Sequence, residues 1–388
     1  MSTTSSDVAE KMEFSNASNL TIITRRDIIY THCFVALFID RAVTPLWYII
    51  GITGNVVSAA AWLQPRMRKN SSSAIYLSVL SVNDTLFLLL HPLQELKYAW
   101  FLRSVDYPGV CETYAMVFLV TQYLAPVITF GFSVDRYVAV CHPFQKKRFC
   151  TVRGAVRVVA GSVLGCLALG AIQPYLWTYD STGSMECSVR EEAQRGGQRS
   201  LWSIWSWVSE LVVFLLVPLL NLLFNVMVIR EIYHLSKSGR QANSANVRHL
   251  SSCVAATNAM LLLVSFYVIF TTLPATIVYV LDVAFPAGPR LATHEQIAND
   301  PMWRRHLDYV SFKRIVDEVC LSHYACNFFL FAATGTRFRR LVSKMLFRGT
   351  KNEQRNNGSS GSSRKSPELN AFIISNVKRG RMFLSENL

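Results

Sequence analysis

Residues 131–144 read GFSVDRYVAVCHPF, which places Asp135 beside Arg136 just after the uncharged stretch MVFLVTQYLAPVITF. A charge pair there either snorkels to a water boundary or is held by partners. Other ionisable residues interrupt apolar runs in the same way: Asp84, Glu95, Glu210, Asp317, Glu318 and His323. Such residues are candidates for function by default. Several carboxylates around one cavity suit a cationic ligand, and each alternatively pairs within the fold, with Lys313 or Arg314 as nearby candidates. Bond-making chemistry finds little support. No Cys-x-x-Cys pair, His-Glu-x-x-His metal motif or Gly-x-Ser-x-Gly elbow occurs, so no catalytic residue, metal ligand or cofactor is expected.

The elements that must position these groups are long and apolar. Of 388 residues, 51% are hydrophobic and 16% charged, against about 25% charged in soluble domains. Seven runs stand near 35–62, 74–97, 111–141, 154–177, 201–230, 250–281 and 308–333. Each is long enough for a helix to cross a bilayer, which takes about 20 apolar residues. With no water in the bilayer core, the backbone must satisfy itself, so helices are expected. The alternation of a membrane β-barrel is absent. The predicted fold is all-α: a seven-transmembrane helix bundle with a short amphipathic eighth helix.

Charge sets the orientation. The net charge is +14, and it is concentrated after alternate runs rather than in a nucleic-acid-binding patch. Arg66, Arg68 and Lys69 follow the first; Lys146, Lys147, Arg148 and Arg153 the third; Arg230, Lys237, Arg240 and Arg248 the fifth; Arg337, Arg339, Arg340 and Lys344 the seventh. Basic residues mark short cytoplasmic loops, which puts the N-terminus outside and the C-terminus inside. Asn16 and Asn19, in Asn-x-Ser/Thr triplets, are candidate glycosylation acceptors in an extracellular segment 1–34. Asn83 carries the same triplet inside the second run, where it cannot be used. The first 20 residues are polar, so the first spanning helix is expected to serve as the targeting signal.

Two of nine cysteines stand apart. Cys111 starts the third run and Cys187 lies in the segment between the fourth and fifth. Both face the oxidising side on this topology, where a disulfide forms more readily than two free thiols persist. Cys33 is an outer leftover, and Cys166, Cys253, Cys320 and Cys326 are read as small apolar residues. Residues 334–348 place Phe338, Leu341, Val342 and Leu346 near one helical face, suiting a helix on the inner membrane surface in contact with lipid. Residues 349–388 are Gly/Ser/Asn-rich, the composition of a disordered cytoplasmic tail. Ser359, Ser360, Ser362, Ser363 and Ser366 are either phosphorylation sites or plain tail residues.

Twenty-four residues separate Cys111 from Asp135, about 36 Å as a helix and enough to span the membrane. In this context Asp135-Arg136-Tyr137 resembles the Asp-Arg-Tyr motif of rhodopsin-like (class A) G-protein-coupled receptors. Gly54-Asn55, Asp84, the Cys111 and Cys187 pair, Pro174, Pro218, Pro274 and the Asn327–Phe331 stretch NFFLF match further positions of that family in order, over residues 35 to 347. The resemblance implies a plasma-membrane receptor that passes ligand binding to a heterotrimeric G protein, with receptor kinases and arrestin at the Ser-rich tail and no nucleic-acid partner. It also implies that Arg136 is held by Asp135 at rest and released on activation. Asp135, Arg136, Tyr137, Asn327 and Phe331 would form the coupling switch, and Asn55, Asp84 and His323 the polar core. The pattern departs at Thr272 (usually Trp), Val226 and Phe331 (usually Tyr), and Phe328 (usually Pro). Ala125 and His323 replace neutral oxygens around Asp84, so His323 is expected either to pair with Asp84 or to bond a backbone carbonyl.

The matching position for a retinal Lys is Leu321, and that for an amine-binding Asp is Phe118, which on this resemblance argues against both ligand types. The expected ligand pocket comprises Glu95, Phe118, Gln122, Glu210, Tyr279, Asp317 and Glu318, with Trp207 as a further wall. Short stretches such as NFFLF and TTLP resemble invertebrate FMRFamide-type neuropeptide receptors, which implies a cationic amidated peptide. The alternatives are a non-peptide or weakly coupled receptor and, more distantly, a proton-coupled transporter using Asp84 and His323. The last would be expected to show internal repeats, and none is visible.

Overall fold

The computed structural model describes residues 25–345 except 70, 182–184, 242–244, 290–292 and 337. Asn16, Asn19, Arg337, Leu346 and the tail from 349 lie outside the described residues, as do the side chains of Arg240, Arg248 and Cys253. Seven helical segments are long and apolar enough to cross a membrane: Phe34–Trp62, Ser72–Tyr98, Val110–Cys141, Val152–Leu176, Leu201–Lys237, Leu262–Leu281 and Pro301–Thr334. They are the first to seventh spans below, and they match the expected seven-helix membrane bundle.

The bundle buries a set of polar side chains among its apolar core and exposes many large apolar ones, as a membrane rather than water outside requires. Asn55, Asp84, Ser133, Thr272, His323 and Asn327 are buried, while Leu46, Ile49, Leu164, Phe270, Ile277 and Phe312 are exposed. An apolar exterior of this extent is a membrane-facing surface. Small residues let the backbones approach. A Cβ on Gly51 would lie 2.4 Å from Leu88 and 2.8 Å from the Ala325 backbone, and one on Gly54 would lie 2.9 Å from Phe328. The first, second and seventh spans meet there.

Several boundaries differ from the apolar runs. The seventh span begins at Pro301 rather than near 308. Asp300 accepts from the backbone N–H groups of Met302 and Trp303, both at 2.9 Å, and so caps the helix ahead of a polar first turn that an apolar-run reading misses. The fourth-span helix stops at Gly170 and resumes over Gln173–Leu176, with Pro174 in the new first turn. Wide π turns interrupt the first span at Ile39–Val43 and the fifth at Leu211–Leu216.

Between the fourth and fifth spans runs a hairpin not anticipated from sequence. Its strands β1 (Trp177–Tyr179) and β2 (Cys187–Val189) are antiparallel, with Tyr179 opposite Cys187. Nearby, the N-terminal helix Arg25–His32 meets the short helix His294–Asn299 through Ile28, Cys33, Ala36, Ile297, Trp303 and Leu307. Cys33 is thus a buried member of an apolar cluster. At the opposite end of the seventh span, Arg339 donates to the carbonyls of Ala332 and Ala333, both at 2.7 Å, closing the helix C-terminus. Phe338 stacks on Trp62 at 5.1 Å. Residues 338–345 are helical.

Candidate ligand cavity and charge-pair site

All seven spans and the hairpin contribute to the wall of a cavity of about 510 Å³. Glu95, Phe118, Gln122, Glu210, Tyr279, Asp317 and Glu318 all line it. Trp207 stands behind the wall, with its ring 5.8 Å from that of Tyr279. Both π turns serve the cavity: Asp40 lies in one and Phe214 in the other, directly after Glu210. Extra-residue turns of this kind re-aim side chains and recur at functional sites.

The hairpin is fixed over the cavity by three kinds of bond. Cys111 and Cys187 form the disulfide expected from sequence. Lys97 donates to Asp106 at 2.7 Å and to the Cys187 carbonyl at 2.6 Å, and the Cys187 N–H donates to Asp106 at 2.7 Å. Glu112 accepts from the Tyr179 N–H at 3.3 Å.

The carboxylates differ in how they are satisfied. Thr44 donates to Glu318. Arg314 Nε lies 3.6 Å from Asp40 Oδ2, and Lys313 reaches Asp282 at 3.2 Å. Glu95 is 7% exposed, and its Oε2 has no hydrogen-bond partner among the described residues. Its other oxygen, Oε1, lies 4.0 Å from His91 Nδ1, which already shares a hydrogen bond with the Tyr48 hydroxyl at 2.8 Å. Asp40, His91, Lys97 and Arg314 are lining residues that the sequence reading did not place in the pocket. Asp40 carried the same signal as Glu95, a charge within an apolar run.

Below the cavity, Asn327 donates to Asp84 at 2.6 Å and Asn55 donates to the Tyr324 carbonyl at 2.6 Å. Of the two expectations for His323, the pairing with Asp84 is not formed. His323 instead stacks on Tyr324, ring to ring at 3.9 Å, and makes no hydrogen bond to Asp84. The reason is geometric: Asn327, one helical turn further along the same span, delivers its amide to the carboxylate first. Asn83 is buried and donates to the Thr121 carbonyl at 2.9 Å. Thr272 bonds its own helix, donating to the Val268 carbonyl at 2.8 Å.

At the far end of the third span, Arg136 and Asp135 are paired at 2.5 Å. Ser72, at the start of the second span, joins them. Its hydroxyl donates to Asp135 at 2.9 Å and accepts from Arg136 at 3.0 Å. Nothing in the sequence marks Ser72, one of several serines in the run SSS. Tyr137 meets His142 at 3.3 Å and the Phe224 ring at 5.1 Å. Phe331 is fully buried against Trp62 and Phe338, at 5.7 Å from each ring. Val226 is 42% exposed, on the outer surface of the fifth span.

A seven-helix membrane bundle with a disulfide-tied hairpin and a buried charge pair defines a class. The chain matches the 7 transmembrane receptor (rhodopsin family) over residues 54–304, and it belongs to that family, which is one of receptors and not of enzymes. Among individual proteins, it is 33% identical to G-protein coupled receptor 183-A of Danio rerio over 35% of this chain and 36% of that one. It is 27% identical to growth hormone secretagogue receptor type 1 of Mustela putorius furo, over 58% and 62% of the two chains. It is 23% identical to the FMRFamide receptor of Drosophila melanogaster, over 52% and 39%. The aligned part thus spans between about a third and three-fifths of these relatives' length.

Proposed function

We propose that this chain is a plasma-membrane receptor for a cationic peptide, of the amidated kind, and that it signals through a heterotrimeric G protein. Glu95 carries the reading. A buried carboxylate oxygen without a donor, on a cavity wall, is a costly arrangement unless a donor arrives with the ligand. Five carboxylates line the same cavity: Asp40, Glu95, Glu210, Asp317 and Glu318. Phe118, Tyr279 and Phe214 offer aromatic walls. Relatives named as FMRFamide, pyrokinin and growth hormone secretagogue receptors support a peptide.

The cavity end faces the extracellular side on this reading, with Asn16 and Asn19 glycosylated. The Arg136 end faces the cytoplasm, in keeping with Lys146, Lys147 and Arg148 on the exposed helix Pro143–Phe149. Ligand binding favours a bundle arrangement in which Arg136 leaves Asp135 and Ser72 and turns to the G protein. The ligand does so by binding that arrangement more tightly than the resting one. Tyr137, Asn327 and Phe331 belong to the same switch. The amphipathic segment 334–348 rests on lipid, and the tail serines receive receptor kinases and then arrestin.

The test is calcium release in cells expressing the chain with a promiscuous G protein, under a panel of amidated peptides that includes Arg-Phe-amides. A dose-dependent response that is lost in Arg136→Ala supports the reading. Silence across the panel at confirmed surface expression, together with no labelled-peptide binding, refutes the peptide assignment. A second reading, a receptor that binds but couples weakly, is favoured by one observation: Phe331 is locked by packing and offers no hydroxyl to an activated state. Labelled-peptide binding without calcium release would select it.

A further inference from the structure

We infer that Arg314 is a built-in stand-in for the ligand's cation, a residue that a guanidinium-bearing ligand displaces and that sets which cations the cavity admits. Only the identity of the ligand as a peptide rests on the proposal above; the guanidinium site itself does not.

Three cationic side chains line the cavity: Lys97, Lys313 and Arg314. Two are committed elsewhere. Lys97 is held by Asp106 and the Cys187 carbonyl, and Lys313 by Asp282. Arg314 alone lies within Coulombic reach of four carboxylates, Asp40, Glu95, Asp317 and Glu318. Arg41 also acts on Asp40 and Lys313 on Asp317, whereas Glu95 and Glu318 share Arg314 as their only cation among the described residues, and the unpartnered Glu95 Oε2 is the local sign of that shortage.

The bond that Arg314 makes is a loose one. Its contact with Asp40 is 3.6 Å through Nε, where an optimal carboxylate–guanidinium fork closes to about 2.7–2.9 Å through two nitrogens. The Arg314 side chain is 33% exposed, whereas the Lys97 side chain in its knot is 12% exposed. Arg314 also has somewhere to go. A second cavity of about 780 Å³ adjoins through Asp40, Gln94, Lys97, Tyr98 and Arg314, all of which line both spaces. A cation entering the first cavity can take Glu95 and Asp317 while Arg314 turns toward the second and keeps Asp40. With ligand bound, Arg314 keeps Asp40 and the incoming guanidinium brings the donor that Glu95 Oε2 lacks at rest.

The test is chemical rescue on the purified full-length chain in lipid nanodiscs, read as the thermal unfolding midpoint. Arg314→Ala is expected to unfold at lower temperature than wild type. Ethylguanidinium in the millimolar range should raise the midpoint of the variant by about 2 °C, the shift that a concentration near ten times Kd gives for a chain of this size. It should move wild type less, because there it has to displace Arg314. Equal shifts in wild type and variant, or none in a folded variant, would overturn the inference, and an equal effect of ethylammonium would overturn the guanidinium assignment. Should Arg314→Ala fail to fold, the double variant Arg314→Gln/Asp40→Asn removes one charge of each sign and is read in the same way. In cells, Arg314→Ala should raise the potency of an Arg-Phe-amide peptide about tenfold. Rescue without labelled-peptide binding would leave the guanidinium site standing and reject the peptide reading.

Discussion

Replacing Ser72 by Ala removes one hydroxyl that serves both halves of the charge pair. It donates to Asp135 at 2.9 Å and accepts from Arg136 at 3.0 Å, in a side chain only 5% exposed. A hydrogen bond to a charged group contributes about 1.5–3 kcal/mol net, and the two bonds are lost together. If they exist only while Arg136 is held, the lower figure alone shifts the held-to-released ratio about tenfold. A released state at about 1% would rise to about 10%, within reach of an agonist-free assay. The measurement is basal nucleotide exchange on a co-expressed G protein, normalised to surface receptor, beside Ser73→Ala as a control on the same helix end. Asp135→Asn should raise basal exchange too, and the double variant should exceed neither single by much, because both act on one network. Unchanged basal exchange in Ser72→Ala, with Asp135→Asn active, would show that Ser72 contributes nothing to holding Arg136. Unchanged exchange in both would reject the latch itself.

Other expectations follow from single contacts. Glu95→Gln keeps the shape but removes the charge facing the cavity, and should lower the potency of an Arg-bearing peptide at least tenfold, since a charge-assisted bond is roughly twice as strong as a neutral one; equal potency would exclude Glu95 from the binding site. Gly51→Val places its Cβ 2.4 Å from Leu88 and 2.8 Å from the Ala325 backbone, before its two methyls are counted. It should cost about 1–3 kcal/mol and cut surface expression, whereas Gly161→Ala, which meets nothing within 4 Å, should not. Lys97→Met unties the hairpin from Asp106 and the Cys187 carbonyl, and should increase hydrogen exchange in residues 177–189 while the disulfide stays intact. Acidification should loosen the N-terminal helix. Burial, and then His294 at 3.4 Å, hold His32 below its ordinary value. The packed form therefore binds fewer protons than the open one, and its stability is present at neutral pH and lost as pH falls below about 6.5. Exchange protection over Ile28–Cys33 should fall between pH 7.5 and 5.5, and protection that is flat with pH would reject the coupling.

The sequence alone determined that this chain crosses a membrane seven times, because backbone groups in lipid have no partner but their own helix and each span must therefore be written as a long apolar run. It also determined which residues are exceptional. A charge within such a run is expensive, so Glu95, Glu210, Asp317, Glu318 and Asp135 announce themselves, and all four of the pocket acids in that set line one cavity. What sequence spacing leaves open is which exceptional residue meets which. Ser72 and Asp135 are 63 residues apart and come together only because the second and third spans are packed side by side. Asp84 has two candidate partners a turn apart on one helix, and the rotation of the seventh span, set by side chains packed around Gly51 and Gly54, gives it Asn327 and turns His323 onto Tyr324. The seventh span's true start depends on a cap at Asp300 that carries no hydropathy signal. Arg314 was visible as a charge, and Asp317 and Glu318 stand three and four residues along its own helix, but Asp40 and Glu95 reach it only because the first, second and seventh spans meet in space.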